Sequence, residues 1–424
     1  MIKRKITPHI IALATFFIVG SASAAGTWYV DPAGNDSNTC TAPGPASACM
    51  TINAAIGKAS AGDTIHVAIG LYNEQVQVNK TLTLLGAQNG VDARTRSGAE
   101  STITNSCGPV QIMANSVVLD GFTIQGSNLD PTTNPQCFGA GVWTNPPFSG
   151  TQGGHQILNN IIQNNITGIE LDNTGAIAAL VQHNLIQTNN NPGAGSGNGI
   201  QTNFGLVNAT IDGNKFSGQT SSSELLLFGA SPITISNNTL DAGIVMFLSA
   251  GISITGNSSI GNTADGTIYI GGAVSGVTVS SNVLNGGVEG VVLEDIYTVG
   301  PNSNVTISPN NCIAGNTTNG MRVAHLGYAG AAHSLNATNN WWNAASGPKY
   351  NGAGTGTGDN IADPDLVVNF SPFLTSKTGT PCAPPPIGPP TTANQCKNDG
   401  WKTFNTPRSF KNQGDCIQYV NTGK

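Results

Sequence analysis

One four-residue pattern, an aliphatic residue followed three positions later by Asn, recurs through the middle of the chain and limits what it can fold into. It occurs as Ile157–Asn160, Val181–Asn184, Ile211–Asn214, Ile235–Asn238, Ile254–Asn257, Val279–Asn282, Ile307–Asn310 and, with Ala in the first place, Ala337–Asn340. Successive Asn markers lie 24, 30, 24, 19, 25, 28 and 30 residues apart, the span of one coil of a solenoid. Between them, β-branched residues and leucines alternate with small and polar ones, Gly and Asn punctuate the corners, and no helical period is sustained. Stacked coils would turn Ile157, Val181, Ile211, Ile235, Ile254 and Val279 inward, one above another at about 4.8 Å. Asn fits a corner because it tolerates the left-handed conformation and bonds nearby backbone, and recurring amides can also bond along the stack. An irregular Gly- and Asn-rich β-sandwich is the competing reading; eight markers in one frame count against it.

A second pattern, Gly followed by an alternating strand, occurs at Gly141–Asn145, Gly168–Asp172, Gly199–Asn203, Gly243–Phe247, Gly290–Glu294 and Gly320–Ala324. If the residue after Gly points inward, the third and fifth positions face out. The outward ladder then reads Trp143/Asn145, Glu170/Asp172, Gln201/Asn203, Val245/Phe247, Val292/Glu294 and Arg322/Ala324. An indole, carboxylates and amides on one face suit a sugar chain. Trp143, Asn145, Gln201, Asn203, Phe247 and Arg322 are therefore candidate glycan-binding residues. Glu170 and Asp172, about 7 Å apart along one strand, are the candidate catalytic pair, at a spacing that suits an inverting glycosidase. The bland reading is that they solvate a strand face. Glu294 is a third candidate acid, although with Arg322 one coil on it reads more simply as a salt bridge.

The markers, together with Asn340–Pro348 (NWWNAASGP), resemble the right-handed parallel β-helix proteins of the pectin-lyase-like fold. Tyr29–Asn38 and Thr51–Val78 are similar to the way many secreted members begin, and the resemblance spans roughly residues 27–375. It implies an all-β right-handed parallel β-helix solenoid and says little of activity, since enzymes, adhesins and tail-fibre proteins share it. The family's known active sites do not carry over. Its lyases use a basic residue over an acidic or calcium-bound site, yet residues 97–321 hold only Lys215. The paired Asp and Gly-His-Gly motifs of polygalacturonases and the pectin methylesterase motifs are missing.

Residues 1–24 read as a secretory signal, with Lys3, Arg4 and Lys5, an apolar run Ile10–Gly20 and a small-residue end at Ala22–Ala24. Residues 25–380 form the expected β-helix domain, its N-terminal end sealed by a short helix carrying Ile52, Ala55, Ile56 and Ala59. Trp341 and Trp342 are placed to cover the other end, and Gly352–Asp365 reads as a solvated loop. Its acids invite calcium but match neither the EF-hand loop nor the calcium-binding nonapeptide, so no cofactor is expected, with calcium the one candidate. A Pro-rich linker, 381–394, leads to a basic Cys-containing tail, 395–424, which is similar to short tails of other secreted bacterial proteins and is a candidate for surface attachment. An even eight cysteines suit disulfides formed outside the cytosol. Sequence does not fix their pairing; proximity suggests Cys40–Cys49, Cys107–Cys137 and Cys396–Cys416, leaving Cys312–Cys382.

With 22 Asp and Glu against 16 Lys and Arg, and one Lys between Arg96 and Arg322, nucleic acid is not an expected partner. The chain is expected to be secreted, extracellular or cell-surface associated, monomeric and without a transmembrane segment once its leader is removed. Three functions remain open: binding of a polysaccharide or cell-surface glycan, polysaccharide hydrolysis or lysis by a site of unfamiliar pattern, and a structural or adhesive role.

Overall fold

In the computed structural model the described residues are 25–220, 222–262, 266–377, 382, 389–397, 401, 404, 408 and 410–423. The signal segment and most of the Pro-rich linker lie outside them. The chain winds as a right-handed parallel β-helix. Three parallel sheets of 13, 12 and 10 strands run the length of the stack, each strand pairing with the equivalent strand one coil away. Parallel strands need crossovers, and here the other two sides of the coil supply them.

The core is one continuous column of aliphatic side chains from Val30 to Val368. The predicted inward residues Ile157, Ile211, Ile235, Ile254 and Val279 are fully enclosed, and Val181 nearly so. Each such side chain contributes about 1.5–3 kcal/mol by leaving water. Register pairs Ile157 with Val181, Val181 with Ile211, Ile211 with Ile235 and Ile235 with Ile254.

The Asn markers form a buried amide ladder. Asn184 Nδ2 donates to Asn214 Oδ1 (2.9 Å), Asn214 Nδ2 to Asn238 Oδ1 (3.0 Å) and Asn238 Nδ2 to Asn257 Oδ1 (2.9 Å). Each Oδ1 also accepts the backbone N–H of the preceding Asn, as Asn238 Oδ1 does from Asn214 (2.9 Å). Two sequence expectations need correction here. The left-handed residue is the one before the marker: Asn159, His183, Gly213, Asn237, Gly256 and Ser281 have φ between 51° and 68°. The marker itself turns inward and spends its amide on the stack. In the seventh repeat the ladder runs through Asn311, which bonds Asn282 and Asn340, because Ile307 and the inward Asn are separated by one extra residue. Asn310 takes the left-handed turn position, with φ 64°.

The helix Ile52–Lys58 caps the N-terminal end, burying Ile52, Ala55 and Ile56. Thr51 Oγ1 accepts from Ala54 N, and the Glu74 carboxylate accepts from the N–H groups of Ile52 and Asn53. At the far end Trp342 is fully enclosed in the core column. Gly352–Asp365 is not the solvated loop expected: Gly358–Ala362 is a strand paired with Asn319–Val323. Asp359 and Asp363 are buried and accept from Asn316 N (2.8 Å) and Val368 N (2.7 Å). The disulfides are the three that proximity suggests, Cys40–Cys49, Cys107–Cys137 and Cys396–Cys416, and the remaining long-range pair, Cys312–Cys382. In the tail, Gln413–Thr422 is a helix, and Phe404 and Phe410 pack with the Cys396–Cys416 bridge. No helix among the described residues is long and apolar enough to cross a membrane.

Candidate functional site

The 12-stranded sheet carries the outward ladder. All six Gly-led strands lie in it, and the residue after each Gly (Val142, Ile169, Ile200, Ile244, Val291 and Met321) is fully buried. The Gly recurs for a steric reason: a Cβ on Gly168 would collide with the carbonyl oxygen of Gly199 in the next coil. Third-position residues are aligned as expected, Trp143 beside Glu170 and Glu170 beside Gln201. Two further coils are interleaved, placing Leu226 next to Gln201 and Tyr269 between Val245 and Val292. They escaped the pattern because Glu224 stands before Leu225 instead of Gly, and Thr267 separates Gly266 from Ile268. Upstream the same ladder continues through Gln111 to Gln77. Both sit between aliphatic residues in strands with no preceding Gly.

Fifth-position residues do not form a second outward row, because the strands end at or before them and the chain turns. Asn145 is buried with φ 48°; its Nδ2 donates to Thr174 Oγ1 and its Oδ1 accepts from Gln152 N. Asp172 is fully buried. Its Oδ1 accepts from Phe204 N (3.0 Å), Thr202 Oγ1 (3.2 Å) and Asn203 N (3.3 Å), and its Oδ2 lies 3.4 Å from Trp143 Nε1. It braces the turn and the indole from beneath and is not part of the groove surface. Phe247 packs against Tyr269 and Val292, with its ring 5.1 Å from that of Tyr297. Glu294 accepts from Tyr269 Oη and pairs with Arg322 (2.5 Å), whose Nε reaches Glu289 (2.7 Å). Burial pushes the Glu294 carboxyl up, but the Tyr269 and Arg322 hydrogen bonds outweigh it and hold it below its usual value.

Over the first coils the sheet floors a groove of about 870 Å3. Its floor carries Gln77, Gln111, Trp143, Glu170 and Gln201, and one wall is the long excursion between Phe122–Gln125 and Ala140–Thr144. That wall is stapled by Cys107–Cys137, and its Phe138 ring lies 5.6 Å from Trp143. Phe148 and Phe204, both largely exposed, flank the same indole at 5.9 and 6.2 Å. The aromatic cluster is therefore assembled around two strands, Ala140–Thr144 and, two coils on, Ile200–Thr202. Phe138, Phe148 and Phe204 sit in turns, where no strand periodicity marks them.

At the centre, Glu170 is 5% exposed. Burial, and then the nearby Asp172 charge, raise its carboxyl to about 8, against the hydrogen bonds from Gln201 and Asn203. Most of it is protonated at pH 7. Both donors, Gln201 Nε2 and Asn203 Nδ2, bond the same oxygen, Oε2, while Oε1 has no partner. An oxygen receiving two hydrogen bonds is the acceptor, so the proton resides on Oε1. Asn198 Nδ2 donates to Gln201 Oε1 (2.8 Å), which fixes the orientation of that amide, and Asn198 Oδ1 is also without a partner. The floor of the groove therefore holds one neutral O–H donor and one carbonyl acceptor, both buried and without a partner, in a polar site rimmed by aromatic rings. Beyond Asn203 and Leu226 it borders a smaller apolar cleft of about 400 Å3, lined also by Phe228, Phe247, Leu248, Tyr297 and Val299.

Among the described residues no group of three or more His, Cys, Asp or Glu side chains is placed to hold a metal ion.

No protein-family model matches the chain, and no curated protein is similar to it in sequence. Among solved structures, the catalytic unit of a thermostable α-1,3-glucanase from Streptomyces thermodiastaticus aligns with 85% of this chain and 72% of its own, at 16% identity and a TM-score of 0.49. A rhamnogalacturonan lyase aligns with 72% of this chain and 84% of its own, at 12% identity and a TM-score of 0.44. A lacto-N-biosidase from Eubacterium ramulus covers 83% and 68%, at 11% and 0.44. The likeness is one of fold.

Proposed function

We propose that this chain is an exported β-helix protein that binds a polysaccharide along the groove centred on Trp143 and Glu170. The observation that carries the reading is the pairing of an aromatic cluster with buried, unpartnered hydrogen-bonding atoms, Glu170 Oε1 and Asn198 Oδ1, in one groove. Buried polar atoms normally find partners, and a sugar hydroxyl is a partner of the right kind, while the rings of Trp143 and its neighbours suit the C–H faces of the pyranose. Four disulfides and the leader-like first 24 residues support export to an oxidising compartment.

A second reading has its own observation in favour. A carboxyl raised to about 8, with its proton on the free oxygen, is the form a general acid needs to protonate a glycosidic oxygen as the C–O bond breaks. An inverting mechanism also needs a carboxylate base facing the water, and Asp172 is buried beneath the turn and committed to four donors. Binding is therefore the reading the geometry favours.

Native gels cast with a panel of plant, algal and bacterial polysaccharides test both. Binding predicts retarded migration by at least one glycan, relieved in Trp143→Ala. New reducing ends, lost in Glu170→Gln, would move the assignment to hydrolysis. Unretarded migration of folded protein in every gel would leave a structural or adhesive role.

A further inference from the structure

We infer that the groove selects uncharged glycan segments and rejects polyuronates. The inference rests on the glycan-binding reading and adds the chemical class of the ligand. Three independent features of the groove lead to it. Among the described residues, none that lines the groove is Lys, Arg or His, so a uronate carboxylate would meet no cation there. Three bases elsewhere are committed: Arg322 to Glu289 and Glu294, Arg96 to Glu100, Lys80 to the carbonyls that end the capping helix. Lys215 lies on the 10-stranded sheet, a different side of the coil.

The groove's polar capacity is made instead of amides, those of Gln77, Gln111, Gln136, Asn198, Gln201 and Asn203. Amides both donate and accept, which matches hydroxyls, acetamido groups and ring oxygens and leaves a full negative charge unneutralised. The charged groups that face Glu170 point the same way. Asp172 is the charge that acts on it, and Trp143, Gln201 and Asn203, the side chains around it, are neutral. A uronate placed there would be desolvated beside the Asp172 charge, and a buried unpaired charge is costly. No cluster of three or more ligands among the described residues offers to hold a divalent ion that could bridge a uronate to the floor. Over the whole chain the net charge of −6 adds long-range repulsion.

An uncharged chain meets none of these penalties. It accepts a hydrogen bond from Glu170 Oε1 and donates one to Asn198 Oδ1, while its ring faces lie against Trp143, Phe148 or Phe204. Six coils, from Gln77 to Leu226, floor the groove. At about 4.8 Å per coil they extend roughly 24 Å, enough for several sugar units. Donation from Glu170 also sets the pH response: affinity holds below about pH 8 and falls as pH rises through it, when ionised Glu170 can no longer donate.

The test uses the mature protein in affinity gels containing matched polymers that differ only in charge. One pair is fully methyl-esterified and de-esterified homogalacturonan; the other is carboxyl-reduced and native alginate. Neutral glucan, xylan and galactomannan are run alongside, all with and without calcium. The expected result is retention by uncharged members, with each carboxylated counterpart at least tenfold weaker in either calcium condition. Gln77→Lys, at an exposed strand position, should then raise retention by the carboxylated member several-fold. Equal or stronger retention by a carboxylated polymer overturns the inference and leaves glycan binding standing. Failure of a folded protein to be retained by any member removes the glycan reading, and this inference with it.

Discussion

The two halves of the outward ladder share one sheet and one register, yet they have come to opposite ends. From Gln77 to Gln201 the outward row is polar, and its acid is neutral and short of partners. From Leu226 to Arg322 the row closes on itself. Leu226, Val245, Tyr269 and Val292 pack with Phe247, and Arg322 answers both Glu289 and Glu294. Carboxylates occur in both halves, so acid content does not mark a site. What sets the open half apart is unused hydrogen-bonding capacity inside a groove, at Glu170 Oε1 and Asn198 Oδ1.

Five substitutions break or sharpen this contrast. The largest effect should come from the scaffold common to both halves. Asn238→Ala removes the acceptor for Asn214 N and Nδ2 and the donor to Ile211 O. Leaving those groups buried and unpaired should cost about 2–4 kcal/mol, read as a lower midpoint in urea unfolding at unchanged slope.

Arg322→Met should act on the closed half alone. It strands Glu289 and Glu294, and with the guanidinium partly exposed the loss should be roughly 1–3 kcal/mol at pH 7. Glycan retention should stay as in the parent. Glu294 has a depressed carboxyl in the folded state, so its pairing contributes above the unfolded carboxylate value and is lost as pH falls through the folded one.

Glu170 carries the opposite sign. Its folded value of about 8 lies above an unfolded value near 4.5, so the folded state keeps a proton that the unfolded state releases. Stability falls as pH rises between those values. Glu224, raised by burial to about 7, adds a fall of the same sign. Glu170→Gln should therefore flatten the neutral-to-alkaline decline and raise the melting temperature at pH 8, by on the order of 2 kcal/mol in stability. A thermal scan from pH 5 to 9 reads it; an unchanged decline would show that Glu170 is not held neutral.

The smallest effect concerns Trp143→Ala, which should weaken retention about tenfold, roughly 1.4 kcal/mol. Val245→Ala in the closed half should leave retention unaltered. Equal losses from the two would erase the distinction between the halves.

Much of the scaffold was legible because stacking repeats a local rule. An inward aliphatic, a following Asn and a Gly under the next coil's carbonyl are constraints met within single coils, and so they recur in sequence in most of them. Asn310 shows the limit of that reading: one added residue moved the inward amide to Asn311, a shift visible only in the hydrogen bonds. The site was less legible. Glu170, Trp143, Gln201 and Asn203 were placed on one face by strand alternation and do line one groove. Asn145 and Asp172, placed there by the same rule, are buried instead, because alternation stops where the strand stops, and sequence marks that end poorly. Phe138, Phe148, Phe204 and Asn198 come from turns, whose directions are set by tertiary packing.

The spacing from one ladder Asn to the next varies from 19 to 30 residues, while the amide stack runs through without a break. The ladder therefore works like an indexing rail. Coil length can change on the opposite side of the rail without slipping any strand against its neighbours. A lineage of such proteins can lengthen, trim or exchange the walls over the groove, and so alter what it accepts, while inheriting the floor and its alignment intact.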